Sequence, residues 1–222
     1  MERGAAQINV RLYAIAGGAI LVLLVWIFGE LDRRSERAWA APGDWWGHRA
    51  TLNNYGEDVE EFGSKYDLPA DYLLALIQLE SGGRKPAGHR FESHVFGRLK
   101  AVRDGKRSSY EGIRTEDLED ASDEALRNLA SSWGPFQLMG YKCIQLDVQL
   151  RDIRGKDAVE AGVRWIDITY GDVLRAGRFR DAFHIHNTGK PYPDEGPPAT
   201  FHPDYVQRGM RYMHNFTEDA RE

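Results

Sequence analysis

The sequence has 222 residues, 42% hydrophobic and 28% charged, which suits one globular domain with an appendage and excludes two full enzymatic domains. Its 6 Trp, 10 Tyr and 9 Phe exclude the aromatic-poor composition of a disordered chain, and a net charge of -5 argues against a nucleic-acid partner, whose phosphates need a basic surface. Cys143 is the only cysteine, so an intramolecular disulfide and a multi-cysteine zinc site are excluded as well.

Residues 1–11 carry Arg3 and Arg11. From Leu12 to Gly29 no residue is charged, and a helix over that run would be roughly 27 Å long, close to the hydrocarbon thickness of a bilayer. Residues 12–29 are therefore expected to form an N-terminal transmembrane helix, with the lipid bilayer as a partner. The apolar run exceeds the ordinary length of a signal peptide's core, and the small residues Ala38, Ala40 and Ala41 that could mark cleavage lie behind a charged cluster. Charge counting leaves the orientation open, since Arg3 and Arg11 oppose Arg33, Arg34 and Arg37. The half from Ala14 to Ala19 is mostly Ala and Gly, which suits either close helix packing or withdrawal from the bilayer.

Residues 30–55 show no sustained helical periodicity after Ala41-Pro42-Gly43 and read as a membrane-proximal connector, followed by a globular domain over 56–217 and a polar tail over 218–222. Val59 and Phe62 fit a short helix. Leu68-Pro69-Ala70-Asp71 then reads as a break and a fresh helix start. Leu73, Leu76, Ile77 and Glu80 follow the i, i+3, i+4, i+7 rule for one helix face, which Ser81-Gly82-Gly83 ends. Arg90 to Phe96 reads as a short strand, Glu124 to Leu129 as a short helix, and Val159 to Tyr170 and Tyr205 to Phe216 as longer helices. Gly134-Pro135 and the run Gly189 to Pro203 read as loops. The fold class expected is mainly α with at most a small sheet.

Glu80 ends a core-facing stripe beside a glycine turn. Partial desolvation there would raise its pKa toward that of a general acid at neutral pH, although periodicity alone favours an exposed glutamate at a helix end. Its surroundings in the sequence carry more information. Leu79-Glu80-Ser81-Gly82-Gly83, then Gly134-Pro135-Phe136-Gln137-Leu138-Met139-Gly140, then His186-Asn187-Thr188-Gly189 resemble the ordered motifs of lysozyme-like muramidases and soluble lytic transglycosylases. More narrowly, Arg90-Phe91-Glu92-Ser93-His94-Val95-Phe96-Gly97-Arg98-Leu99 with Ser132-Trp133-Gly134-Pro135-Phe136-Gln137 resembles the N-acetylmuramidase family found among phage endolysins. The resemblance runs from about Leu68 to Met213 and implies an α+β lysozyme-like domain.

That resemblance puts the family's acid on Glu80 and a second catalytic carboxylate on Glu92. It puts substrate contacts on Ser81, Gln137 and Asn187. Where the wider group has a tyrosine before the asparagine, this chain has His186. On chemistry, Glu92 could instead hold a structural cation or a helix end, and the Gln137 amide could bind an acetamido sugar or tie loops together. Trp133 and Phe136 read as core. His184, His186, His202 and Asp204 have no established ligand spacing, so neither a metal nor another cofactor is expected.

The function expected is a membrane-anchored, single-pass peptidoglycan muramidase that cleaves the β-1,4 bond between N-acetylmuramic acid and N-acetylglucosamine. Because its glycan partner lies outside the cytoplasmic membrane, residues 1–11 would be a cytoplasmic N-terminus and the catalytic domain would face the periplasmic or outer side, in a cell envelope or as a virion-associated lysin. A lytic transglycosylase forming 1,6-anhydro ends is the nearest alternative. A non-catalytic glycan-binding protein with envelope or virion assembly partners is another.

Overall fold

The computed structural model describes residues 43–219. The apolar segment Leu12–Gly29 lies outside them, and among the described residues no helix is long and apolar enough to cross a membrane. The chain is mainly helical.

Helix α1 (Gly43–Lys65) begins well inside the stretch read from sequence as connector, and the compact unit already includes Trp46. Its buried stripe is His48, Thr51, Tyr55 and Val59. The spacing is helical, but the first two members are polar, so hydrophobic periodicity could not reveal it. His48 stacks on Phe216 with ring centroids 4.1 Å apart. Thr51 bonds back to the Gly47 carbonyl at 2.7 Å. Gly83 approaches so closely that a Cβ there would lie 2.4 Å from Thr51 Oγ1; residues 46–55 thus belong to the domain core and not to a linker.

Helix α2 (Ala70–Ser81) is buried over most of its circumference, from Tyr72 through Gln78, which explains a stretch with hardly a polar residue. Pro69 precedes its first turn and Gly82, in the left-handed region at φ 64°, closes it. Strand β1 (His89–Phe91) stops short of the expected Arg90–Phe96, because helix α3 (Ser93–Arg103) takes over. Val95, Leu99 and Val102 bury one face of α3 at helical spacing. A hairpin of β2 (Ser109–Tyr110) and β3 (Ile113–Arg114) and helix α4 (Asp123–Leu129) complete a small core with Tyr110, Ile113 and Leu126. Ser122 caps α4 by accepting from the Ala125 amide at 3.1 Å.

Strands β4 (Ser131–Trp133) and β5 (Leu138–Met139) form an antiparallel sheet in the order β1-β4-β5, with Arg90 opposite Ser132 and Ser132 opposite Met139. Short helices α5 (Lys142–Leu146) and α6 (Leu150–Arg154) lead to α7 (Ala158–Arg175), α8 (Phe179–Thr188) and α9 (Tyr205–Asp219). Helix α8 was not expected, though Phe179, Ala182, Phe183 and His186 do carry a helical spacing. The larger core gathers Leu73, Leu76, Ile77, Phe136, Val163 and Phe183 around α2.

Helix α9 runs antiparallel beside α2 and is fastened at both of its ends. The Tyr205 hydroxyl donates to Glu80 at the end of α2, and Thr217 Oγ1 donates to Asp71 Oδ2 at its start, at 2.7 Å.

Candidate active site

Glu80 lies in the last turn of α2 with 17% of its side chain exposed. Its carboxylate Oε1 accepts from the Tyr205 hydroxyl. Burial drives the Glu80 pKa up to about 7, against the opposing pull of the Tyr205 hydrogen bond and the charges of Arg90 and Arg208. Desolvation wins, and the carboxyl is about half protonated at neutral pH.

His186, on α8, closes one side of this group. Its Nε2 is 3.9 Å from Glu80 Oε1 and 3.2 Å from the Phe136 carbonyl, and only 6% of its side chain is exposed. A carbonyl can only accept, so Nε2 carries the proton and donates to Phe136. Nδ1 must then accept from the Tyr170 hydroxyl at 2.8 Å. Tyr170 in turn receives a long bond from Tyr72, at 3.4 Å. Burial lowers the His186 pKa to about 4 despite the Phe136 carbonyl, and the nearby Lys142 charge adds to the lowering. The ring is neutral at physiological pH and puts no cation against Glu80, which would have held that carboxyl ionised.

The Gly134–Gly140 segment is fixed by close approach. Phe136 is fully buried, and a Cβ on Gly162 of α7 would stand 2.1 Å from its ring. Gln137, at φ 49°, accepts from Ser132 Oγ at 2.8 Å and donates to the Gly134 carbonyl at 3.0 Å. Both ends of its amide therefore tie the turn. Ser81 is 1% exposed and its hydroxyl donates to the Ile77 carbonyl at 2.9 Å, so it serves the helix end and reaches no open cleft. Asn187 is exposed on the last turn of α8.

Glu92 directly precedes α3 and is 20% exposed, with Arg90 Nη2 at 2.7 Å and His94 Nδ1 at 3.6 Å. Arg90 thus binds one candidate carboxylate while its charge also acts on the other. Trp133 and Phe136 are buried, as expected. Trp133 Nε1 is bonded to the Asn128 carbonyl at 2.8 Å. His184 belongs to the loop that follows it: Nδ1 donates to the Lys190 carbonyl at 2.7 Å and Nε2 accepts from the Ala199 amide at 3.2 Å. Among the described residues no group of three or more His, Cys, Asp or Glu could hold a metal ion.

Tyr205 and Tyr170 are the site residues that sequence reasoning passed over. Tyr205 read only as a helix start, and Tyr170 only as a helix end. Tyr170 does have a local signature, since it departs from helical geometry inside α7 at φ -150°. Comparison of the chain with protein-family models, with curated proteins and with solved structures finds no match in any of the three.

Proposed function

We propose that the protein is a peptidoglycan glycosidase of the lysozyme-like kind, with Glu80 as its general acid. The observation that carries this reading is a carboxyl of pKa about 7, under a tyrosine hydroxyl and beside an imidazole that stays neutral. Cleavage of a glycosidic bond needs a proton delivered to the leaving oxygen. A group half protonated at neutral pH supplies it and can be recharged. The ordered motifs around Glu80, Gln137 and Asn187 support a glycan of N-acetylmuramic acid and N-acetylglucosamine as substrate. In this reading residues 12–29 anchor the chain in a membrane with the domain on the outer side, where that glycan lies.

Hydrolysis assigns Glu92 to the activation of water. The ion pair from Arg90 to Glu92 favours a second reading, a lytic transglycosylase in which the muramic 6-hydroxyl attacks and the second carboxylate only orders the cleft. Mass spectrometry of fragments released from purified sacculi separates the two: reducing ends mark hydrolysis and 1,6-anhydro ends mark transglycosylation. Glu80→Gln is expected to lower release by about 10²–10⁴-fold, the usual worth of a general acid. Release near the wild-type rate, or none from the wild type, would overturn the enzymatic reading.

A further inference from the structure

A groove of about 360 Å³ lies among α1, the Lys85–Ala87 segment, the Gly134-Pro135 turn and the link from α6 to α7. Tyr55, Pro135 and Val159 give it apolar walls, while Lys85, Arg154 and Lys156 face one carboxylate, Asp58, among the lining residues. This local excess of positive charge sits on a chain whose net charge is -5.

The three cations are not equivalent. Lys85 is engaged by the Asn54 carbonyl at 2.9 Å, with Asp58 at 3.7 Å. Lys156 is almost fully exposed, with Asp157 at 3.8 Å. Arg154 has no carboxylate partner among the described residues, and its guanidinium lies over the Trp133 ring at 4.1 Å. A stacked guanidinium is held flat with its N–H fork free, ready to meet a carboxylate through two parallel bonds. The first turn of α7 adds its positive end at Ala158 and Val159.

We infer that this groove binds a carboxylate-bearing peptide, the one carried by the muramic acid of the same polymer, with Arg154 as its principal anchor. The assignment rests on the peptidoglycan reading of Glu80. The Gly134-Pro135 turn joins the two places. It lines the groove on one side, and the next residue, Phe136, presents its carbonyl to His186 beside Glu80. A glycan chain at Glu80 and its peptide branch in the groove would flank one turn. The space accommodates a few amino-acid residues, at the small end of the range for ligand pockets, about 300–1,000 Å³.

The test is calorimetric titration of the full-length protein in detergent with the free tetrapeptide L-Ala-γ-D-Glu-meso-diaminopimelyl-D-Ala, alongside its fully amidated form and inorganic phosphate. The free acid should bind, and binding should weaken as salt rises. It should weaken at least tenfold in Arg154→Gln and further in Arg154→Glu with Lys156→Glu, with the thermal midpoint recording that each variant folds. Absence of binding, equal binding of the amidated peptide, equal binding of phosphate, or no change in folded Arg154 variants would each overturn the proposal. Peptide binding together with no cleavage of sacculi would support the groove while refuting the enzymatic reading of Glu80.

Discussion

The Tyr205 hydroxyl donates to Glu80 Oε1 across 125 residues of chain, yet the carboxyl's pKa stands near 7 because burial outweighs the bond. The hydroxyl therefore acts as a brake on the upward shift. It keeps the acid within reach of neutral pH while fixing which oxygen is left to face a substrate.

Tyr205→Phe removes that brake. The Glu80 pKa should rise further, and the alkaline limb of the pH–rate profile should move to higher pH. A buried hydrogen bond is also lost, so stability should fall by about 1 kcal/mol. A profile unmoved in the variant, with the fold intact, would show that the bond does not tune the acid.

Glu80 and His186 should give stability opposite slopes in pH. Native Glu80 keeps its proton up to about pH 7, against an ordinary value of 4.5, so the native state holds more protons in that interval and loses stability as pH rises through it. His186, with its pKa lowered from 6.5 to about 4, holds fewer protons when folded, so its contribution is lost as pH falls through that range. The slopes cancel between about pH 4.5 and 6.5. In Glu80→Gln only the histidine slope remains: relative to wild type the variant should gain roughly 3 kcal/mol between pH 4 and pH 8, since each pKa unit is worth about 1.4 kcal/mol. Stability curves that run parallel in pH for the two proteins would contradict the Glu80 assignment, and a variant whose stability does not rise from about pH 4 to 6.5 would contradict that of His186.

Gly162→Ala drives a methyl group into the Phe136 ring. Phe136 and its carbonyl must shift, and His186 loses the acceptor that fixes its tautomer. Overpacking of this kind costs about 1–3 kcal/mol. Glycan cleavage should fall with it, and the His186 resonances followed by NMR should broaden or move. A stable variant with unchanged histidine signals would mean that the turn accommodates the methyl group without disturbing the site.

His184→Ala removes the imidazole's bonds to the Lys190 carbonyl and the Ala199 amide, while Thr188 Oγ1 still ties Lys190 to the end of α8. The Gly189–Pro203 loop should become the first point of proteolytic cleavage and the Ala199 amide should exchange faster, at a stability cost of about 1 kcal/mol for the lost bond to that exposed amide. Unchanged exchange at Ala199 would show that the loop is held by other contacts.

How much of this was legible in the sequence depended on whether the signal was local. Leu73, Leu76, Ile77 and Glu80 share a helix face within two turns, so α2 could be read directly, whereas the burial of Glu80 could not, because the same spacing fits an exposed glutamate at a helix end. Helix α1 could not be followed back to Gly43, because its inward face opens with His48 and Thr51 and polar residues leave no hydrophobic period. The strand expected over Arg90–Phe96 was cut short by the spacing of Val95, Leu99 and Val102, a helical signal that extends beyond the strand window. Motif matching drew attention to Ser81 and Gln137, but a motif does not say whether a side chain turns to solvent or back onto its own backbone. Tyr205 and Tyr170 reach Glu80 and His186 only through tertiary packing, which no periodicity encodes.

The double fastening of α9 along α2 also sets the order in which the protein acquires chemistry during synthesis. Glu80 leaves the ribosome 125 residues ahead of Tyr205. Until α9 arrives, the core around α2 lacks Val206, Met213 and Phe216, and the burial that raises the Glu80 pKa is incomplete. If Glu80 is the acid proposed above, its shift is completed by the same docking event that closes the core.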